Sequence, residues 1–466
     1  MQDVLIVMNR MNMKMFSINK NSNKYIGICI LMIILPISLY AQEIITLKAA
    51  IDSTLKNNLQ IKQADFSRVL ADQEVFQSKM NILPSLSAGL GGRITSGNFF
   101  DERTGTVGNT TNKSLDGNVG ARVTIFQGFQ NLNQIKSNKY LLESYKSNVD
   151  RVRNDLKLSV LNVYIEALTN NDLWKASEGQ LKLSKEQLVN EEIGVEVGNK
   201  TLADLSQARS QVALDELNVI NAKNAYEGSI LTLKQLMEMN IRNKIVLKVP
   251  VYPEEFKKAS EYSAINIVEK AMTIFPEVRQ AEFNSLAAEQ SVKITKGAYY
   301  PSLSLSSGLG TAYTTYYRDL SANIFPLHQQ IRDNFSQYIG FSLNIPVFNN
   351  LNTRIGVRKS KVRYENAKTE EQQIKNNLNK VINQALLDLR SAEQRYRSSE
   401  QAFIAMKETF NVVKQRYEVG LSNAIELSTS QTNMNKTEFD FIISKYNLIF
   451  RSRVIDYYLG KPIQLD

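Results

Sequence analysis

One cysteine, one histidine and one tryptophan among 466 residues leave little material for the commoner catalytic chemistries. His328 has no cysteine or second histidine beside it in sequence, so neither a His-based triad nor a zinc site has residues to build on. Trp174 stands alone in a helical stretch and reads as packing. Cys29 sits inside the apolar run Ile26–Leu39 and follows Ile28 where a lipid-attachment site needs a small residue. A chain without a thiol after that run suits an oxidising compartment and needs no disulfide. No later apolar stretch approaches 20 residues, which excludes a spanning helix but leaves a spanning barrel open. Proline is missing from 85–249 and 347–461, and glycine is missing from 357–419 and occurs once, as Gly179, in 129–190. Nothing local interrupts a helix in those stretches.

Two glycine clusters also fail as ligand loops. Gly194–Thr201 (GVEVGNKT) has Asn199 where a phosphate loop needs glycine, and it joins helix to helix; no helix follows Gly89–Gly92. No enzyme, cofactor or metal site is expected. The formal charge of +10 comes from Lys and Arg interleaved with Glu and Asp along helical stretches. That pattern describes solvated faces, and no nucleic-acid partner is expected.

What is present begins with an export signal. Lys14, Lys20 and Lys24 precede the apolar run and Ala41-Gln42 follows it, so 1–41 reads as a secretory signal peptide. Beyond it, apolar residues recur at Leu142, Tyr145, Val149, Val152 and Leu156, and at Ile374, Leu378, Val381 and Ala385. This spacing of three and four predicts helix-on-helix seams. Sixty such residues would extend about 90 Å.

The landmarks occur twice in the same order. Glu196-Val-Gly198 returns as Glu418-Val-Gly420 and Ile125-Phe126 as Val347-Phe348, each 222 positions on; PSLS at Pro84 returns at Pro301. An internal repeat sets the fold. The expected halves are 42–249 and 250–466, joined near Pro250 and Pro253. Each reads as a helix (about 47–80 in the first), strand, polar loop, strand, very long helix, turn and helix.

The strands are specific. Leu86, Ala88, Leu90 and Ile94 alternate with Ser, Gly and Arg, and Leu303, Leu305 and Leu309 alternate with Ser and Gly. Val119, Ala121, Val123 and Ile125 do the same, as do Ile339, Phe341, Leu343 and Ile345. Apolar residues facing lipid and small polar ones facing a wet lumen form the pattern of a transmembrane barrel. Loops expected at about 97–116 and 315–335 are flanked by Phe99, Phe100, Tyr313, Tyr316 and Tyr317, as an interfacial girdle would be. Four strands cannot close, and open edges in lipid would leave backbone groups unsatisfied. Several copies must share one barrel; three would give twelve strands and room for a channel.

In this order and spacing, with Arg416-Tyr-Glu-Val-Gly420 and Ala424-Ile-Glu-Leu427 echoed by Val197-Gly198 and Asp204-Leu205, the chain resembles the TolC-type outer-membrane efflux channels. The resemblance implies a mostly α fold with a β-barrel: a homotrimer in the outer membrane, with four transmembrane strands per chain and long periplasmic coiled-coil helices. It implies passive conduction for an inner-membrane pump of RND or ABC type, reached through a periplasmic adaptor. Alternatives are a type I protein-secretion duct of the same fold, or a barrel-anchored trimeric coiled coil serving adhesion. It also implies a periplasmic gate in which Tyr417 contacts Asp204 and Glu426 lines the aperture, at tip turns Val197-Gly198 and Val419-Gly420. Ser422 and Thr429 replace a family arginine and aspartate, which weakens the ionic part of that gate. Asp204 and Glu426 also fit helix capping boxes. Leu86, Leu90, Leu303, Leu305, Phe341 and Leu343 are the expected lipid-facing residues.

Overall fold

The computed structural model describes residues 43–101, 104–249, 258–319, 321 and 323–463. The expected signal segment, with Cys29, and the linker prolines Pro250 and Pro253 lie outside them. The chain divides into a large unit, Ile45–Ile241 with Leu247–Asp466, and a small one, Met1–Ile44 with Arg242–Val246. Strand β1 (Glu43–Ile45) pairs with β4 (Ile245–Leu247).

In the large unit, α1 (Leu47–Asn57) and α2 (Leu59–Met80) lead into β2 (Ser85–Asp101) and β3 (Thr106–Gln127). Then come α3 (Gln130–Glu196) and α4 (Leu202–Leu236). The second series is α5 (Ala264–Ile274), α6 (Pro276–Gly297), β5 (Ser302–Thr314), α7 (Leu327–Asp333), β6 (Ser336–Asn344), α8 (Asn352–Glu418) and α9 (Ala424–Tyr458). Corresponding helices agree to the residue: 67 in α3 and α8, 35 in α4 and α9, 22 in α2 and α6, 11 in α1 and α5. At 1.5 Å per residue the long helices extend about 100 Å.

The single helix expected over 47–80 is broken at Asn58. Its extended backbone and its Oδ1, which accepts from Gln60 N at 2.8 Å, start a new helix. Phe275 before Pro276 makes the matching break in the second series. The expected seams also differ. On α3, Val149 and Leu156 are buried but Tyr145 is exposed, while Ser137, Ser144 and Ser147 are buried. Small hydroxyls let α6 approach closely: Ser144 Oγ donates to Asn284 Oδ1 at 2.7 Å and Ser137 Oγ to Ala287 O at 3.2 Å. On α8 the core line is Leu378, Ile382, Ala385, Leu386 and Leu389, leaving Val381 outside it.

The four-stranded sheet runs β2-β3-β5-β6, antiparallel throughout, so β3 of the first series pairs with β5 of the second. The polar loop expected at 97–116 is mostly ladder, continuous to Asp101↔Thr106. Asn and Thr do not end a hairpin already in register; Ser96 and Thr111 bond across it at 2.8 Å. In the second expected loop, α7 folds against β5. Gln330 there is buried; its Oε1 accepts from Thr314 N and its Nε2 donates to Thr314 O, each at 3.0 Å. The side chain continues the ladder where β6 has ended.

Helix ends follow the repeat too. Gly460, after α9, and Glu238, after α4, both take positive φ (71° and 52°) in the same i-to-i−5 turn. A side chain is strained there, so Glu238→Gly should stabilise the protein by about 1 kcal/mol, read from chemical denaturation midpoints.

Candidate functional site

Two helical turns, between α3 and α4 and between α8 and α9, carry the chemically distinctive residues. Each is a Schellman turn. Asn199 N donates to Gly194 O and Leu421 N to Arg416 O, both at 2.8 Å, around Gly198 and Gly420 with φ near 79° and 78°. Glycine occupies that place because a Cβ opposes left-handed backbone. Val197 and Val419, one position earlier, are exposed.

The next helices start from capping residues. Thr201 Oγ1 accepts from Asp204 N at 3.2 Å, and Asp204 Oδ2 accepts from Thr201 N at 3.1 Å and Thr201 Oγ1 at 2.7 Å. These bonds hold the Asp204 carboxyl below its usual range. At the second turn Asn423 Oδ1 accepts from Glu426 N at 2.8 Å. The Glu426 carboxylate instead takes the Ser422 hydroxyl at 2.6 Å and Arg416 Nη1 at 3.2 Å. Arg416 Nη2 reaches Leu421 O at 3.1 Å, so the guanidinium braces its own turn.

Tyr417 faces the first series from an apolar cluster with Phe410, Val413, Ala424 and Leu427. Its hydroxyl donates to Glu191 Oε1 at 2.6 Å, and the Lys200 ammonium lies 3.6 Å from its ring centroid. Burial first, then the Glu191 carboxylate, push the phenol pKa up. Within this chain, then, Tyr417 pairs with Glu191 and not with Asp204. The physical reason is that Asp204 folds its carboxylate back on Thr201, while Glu191 is only 2% exposed and supplies the acceptor. The sequence assigns no role to Glu191 or Lys200, and names Arg416 only as the first residue of the Arg416–Gly420 motif. Ser177, Ser184 and Glu191, all buried and seven apart on α3, were the available signal: a polar seam where apolar residues usually sit.

A second feature is the sheet. Its register places Leu86 beside Ala121, Leu305 beside Val123 and Phe341, and Leu303 beside Leu343. Residues paired across antiparallel strands share a face. One face therefore carries Leu86, Leu90, Leu303, Leu305, Phe341 and Leu343; Leu90 is 86% and Phe341 71% exposed. The other carries Ser87, Gly120, Ser306 and Gly340, with Arg93, Asp116 and Arg122. Phe100 and Tyr313 fall on the apolar face, whereas Phe99 turns to the polar one and meets Tyr316 at 6.1 Å.

Among the described residues no helix is long and apolar enough to cross a membrane, and no three Cys, His, Asp or Glu side chains cluster as metal ligands. The outer membrane efflux protein family matches residues 50–237 and 268–459. Outer membrane efflux protein BepC of Brucella suis is 18% identical over 410 residues, 87% of this chain and 83% of its own length. Outer membrane protein TolC of Escherichia coli is 17% identical over 415 residues, 88% of this chain and 81% of its own. The fold of the Campylobacter jejuni CmeC outer membrane channel superposes with a TM-score of 0.76 at 18% identity, covering 90% of this chain and 87% of that one.

Proposed function

Since the chain belongs to the outer membrane efflux protein family, we propose that three copies close into one barrel and one helical tunnel. The family consists of passive outer-membrane channels reaching into the periplasm, not enzymes, and this chain is an efflux channel of that kind. The matched blocks suggest that 42–249 and 250–466 are the two repeats.

The observation that carries the ring is a set of missing neighbours. Helix α6 packs on both long helices, α3 and α8, while its counterpart α2 packs on α3 without comparable packing on α8. Likewise α9 packs on α8 and α3, while α4 packs on α3 but not comparably on α8. The strands β2 and β6 are the open edges of the sheet. A second copy supplies all three in one operation: its β6 to β2, and its α8 to α2 and α4. Such head-to-tail contact closes into a ring. Four strands from each of three copies give a twelve-stranded barrel wide enough for a channel.

In that ring Leu86, Leu90, Leu303, Leu305, Phe341 and Leu343 face lipid. The turns form the periplasmic entrance, where Tyr417 and Glu191 latch one chain's two turns together. Asp204, which caps its own helix, and Glu426, held by Ser422 and Arg416, stand beside them as carboxylates at the aperture. Exposed Val197, Leu202, Val419, Leu421 and Ile425 offer an adaptor protein an apolar landing. Through it an inner-membrane pump of RND or ABC type would deliver cargo. Native mass measurement in detergent should give three chains per particle; a monomer or dimer would remove this reading.

A further inference from the structure

The polar face of the sheet carries few charges, and they are unevenly placed. Arg93 pairs with Ser114 and Asp116 with Gly91, so these two opposite charges are diagonal neighbours and offset each other. Asp101 sits at the hairpin tip. Arg122 stands apart. Its row across the strands is Ser85, Arg122, Ser306 and Gly340, and the rows on either side, through Gly120 and Thr124, hold no charge. Its side chain is exposed. The nearest carboxylate on that face, Asp116, is six residues away along β3, about 20 Å.

The helices continue the same sign. The segments that meet the barrel, 75–80, 130–142, 290–297 and 352–364, contain ten Lys and Arg and no Asp or Glu. Half of these cations lie in the first turns of α8. There Arg354, Arg358 and Lys361 form one stripe and Lys359 and Arg363 another, on opposite flanks of the line in which Val357 and Ser360 are buried. An α8 seated between its own α6 and the next copy's α2 turns one flank inward and the other outward. Either flank then brings cations to the duct. At the periplasmic turns, by contrast, the aperture carboxylates are offset: Arg416 meets Glu426 at 3.2 Å, and Lys200 stands near Asp204.

We propose that the membrane section of the duct selects anions, that Arg122 is the residue setting this preference, and that anionic solutes are the cargo it favours. Rings of Arg or Lys attract anions into a pore and repel cations. A twelve-stranded barrel measures roughly 24 Å between opposite backbones, so three extended arginines hold their guanidinium groups about 6 Å from the axis. That distance is inside the screening length of about 10 Å at 0.1 M salt and outside the one of about 3 Å at 1 M. Selectivity should therefore be marked in dilute salt and fade in concentrated salt.

The proposal rests on three copies sharing the barrel. The full exported chain is inserted into planar bilayers, and the chloride-to-potassium permeability ratio is read from reversal potentials in KCl gradients. A ratio of roughly three or more is expected near 0.1 M, falling toward one near 1 M. Arg122→Gln should lower it by roughly twofold or more and Arg122→Glu by more still. Lys113→Gln, which removes a cation from the apolar face beside Ile94, should leave it unmoved. Native mass measurement of each sample separates the two readings. Particles of fewer than three chains remove the ring and this proposal together. Three-chain channels that prefer potassium, or whose ratio ignores both Arg122 variants, overturn this proposal alone.

Discussion

Arginine at Phe341 or at Leu305 should destabilise the assembled protein by about 2–4 kcal/mol, whereas arginine at Ser304 should cost far less. The two apolar positions are cross-strand partners on one face, and Ser304 precedes Leu305 on the opposite face. A guanidinium on the lipid side near the midplane must be drawn to an interface or left in hydrocarbon; on the lumen side it stays hydrated. Heat or urea dissociation of the outer-membrane protein on gels gives the comparison. The three variants losing stability equally would mean that this face does not meet lipid, and the barrel reading would fall with it.

Removing the Tyr417 hydroxyl should produce the second large effect. Its bond to Glu191 is short, buried and charge-assisted, so Tyr417→Phe is expected to lose about 1.5–3 kcal/mol per chain. Three such latches around one entrance would shift a closed–open equilibrium by several kcal/mol. Single-channel conductance or open probability in planar bilayers should therefore rise. Glu191→Gln should give a smaller rise, because a neutral acceptor remains, and its combination with Tyr417→Phe should be less than additive. Asp204→Ala should instead cost about 1 kcal/mol of helix stability through its lost capping bonds, with little change in conductance. If Tyr417→Phe conducts like the parent while the particle stays intact, the entrance is held elsewhere. The apolar cluster of Phe410, Val413 and Leu427 around the ring would then be the next place to look.

The two turns also explain why a gate need not use the ionic contact that Ser422 removes. Cations are present, but on other positions. Arg416 ties Glu426 and Leu421 into the second turn, and Lys200 covers the Tyr417 ring from the first. In the matching places Gly194 stands for Arg416 and Ser422 for Lys200, each 222 positions away. The repeat keeps the backbone of the turn while its charges have moved from one copy to the other. A cation over an aromatic face contributes roughly 0.5–2 kcal/mol depending on burial, enough to matter beside the hydrogen bond it accompanies.

Most of what depends on one stretch of chain was legible in the sequence, the break at Asn58 between α1 and α2 being the local exception. The alternation in 85–95 and 302–313 decided both which residues share a face and that the face is apolar, because successive side chains of a regular strand alternate; β3 breaks that rule only at the register shift between Thr124 and Phe126. The glycines at 198 and 420 and the capping residues Thr201 and Asn423 marked both turns, since left-handed backbone and unpaired helix N–H groups are local demands. Offsets of 217 residues before the first strand of each series and 222 after the second gave equal helices in both. What the sequence left undecided is what depends on contact between distant segments. Polar composition suggested loops at 97–116, but cross-strand pairing overrides composition once a hairpin is in register. Heptad spacing favoured Tyr145 and Val381 as seam residues, but close approach of α6 buried serines on α3 and shifted the seam on α8. Above all, the sequence offered Tyr417 the Asp204 carboxylate at the start of α4 and assigned no role to Glu191 near the end of α3. Only folding decided between them: Asp204 satisfied its own helix start, a bond three residues long, and Glu191, 226 positions away, was the acceptor buried against the ring.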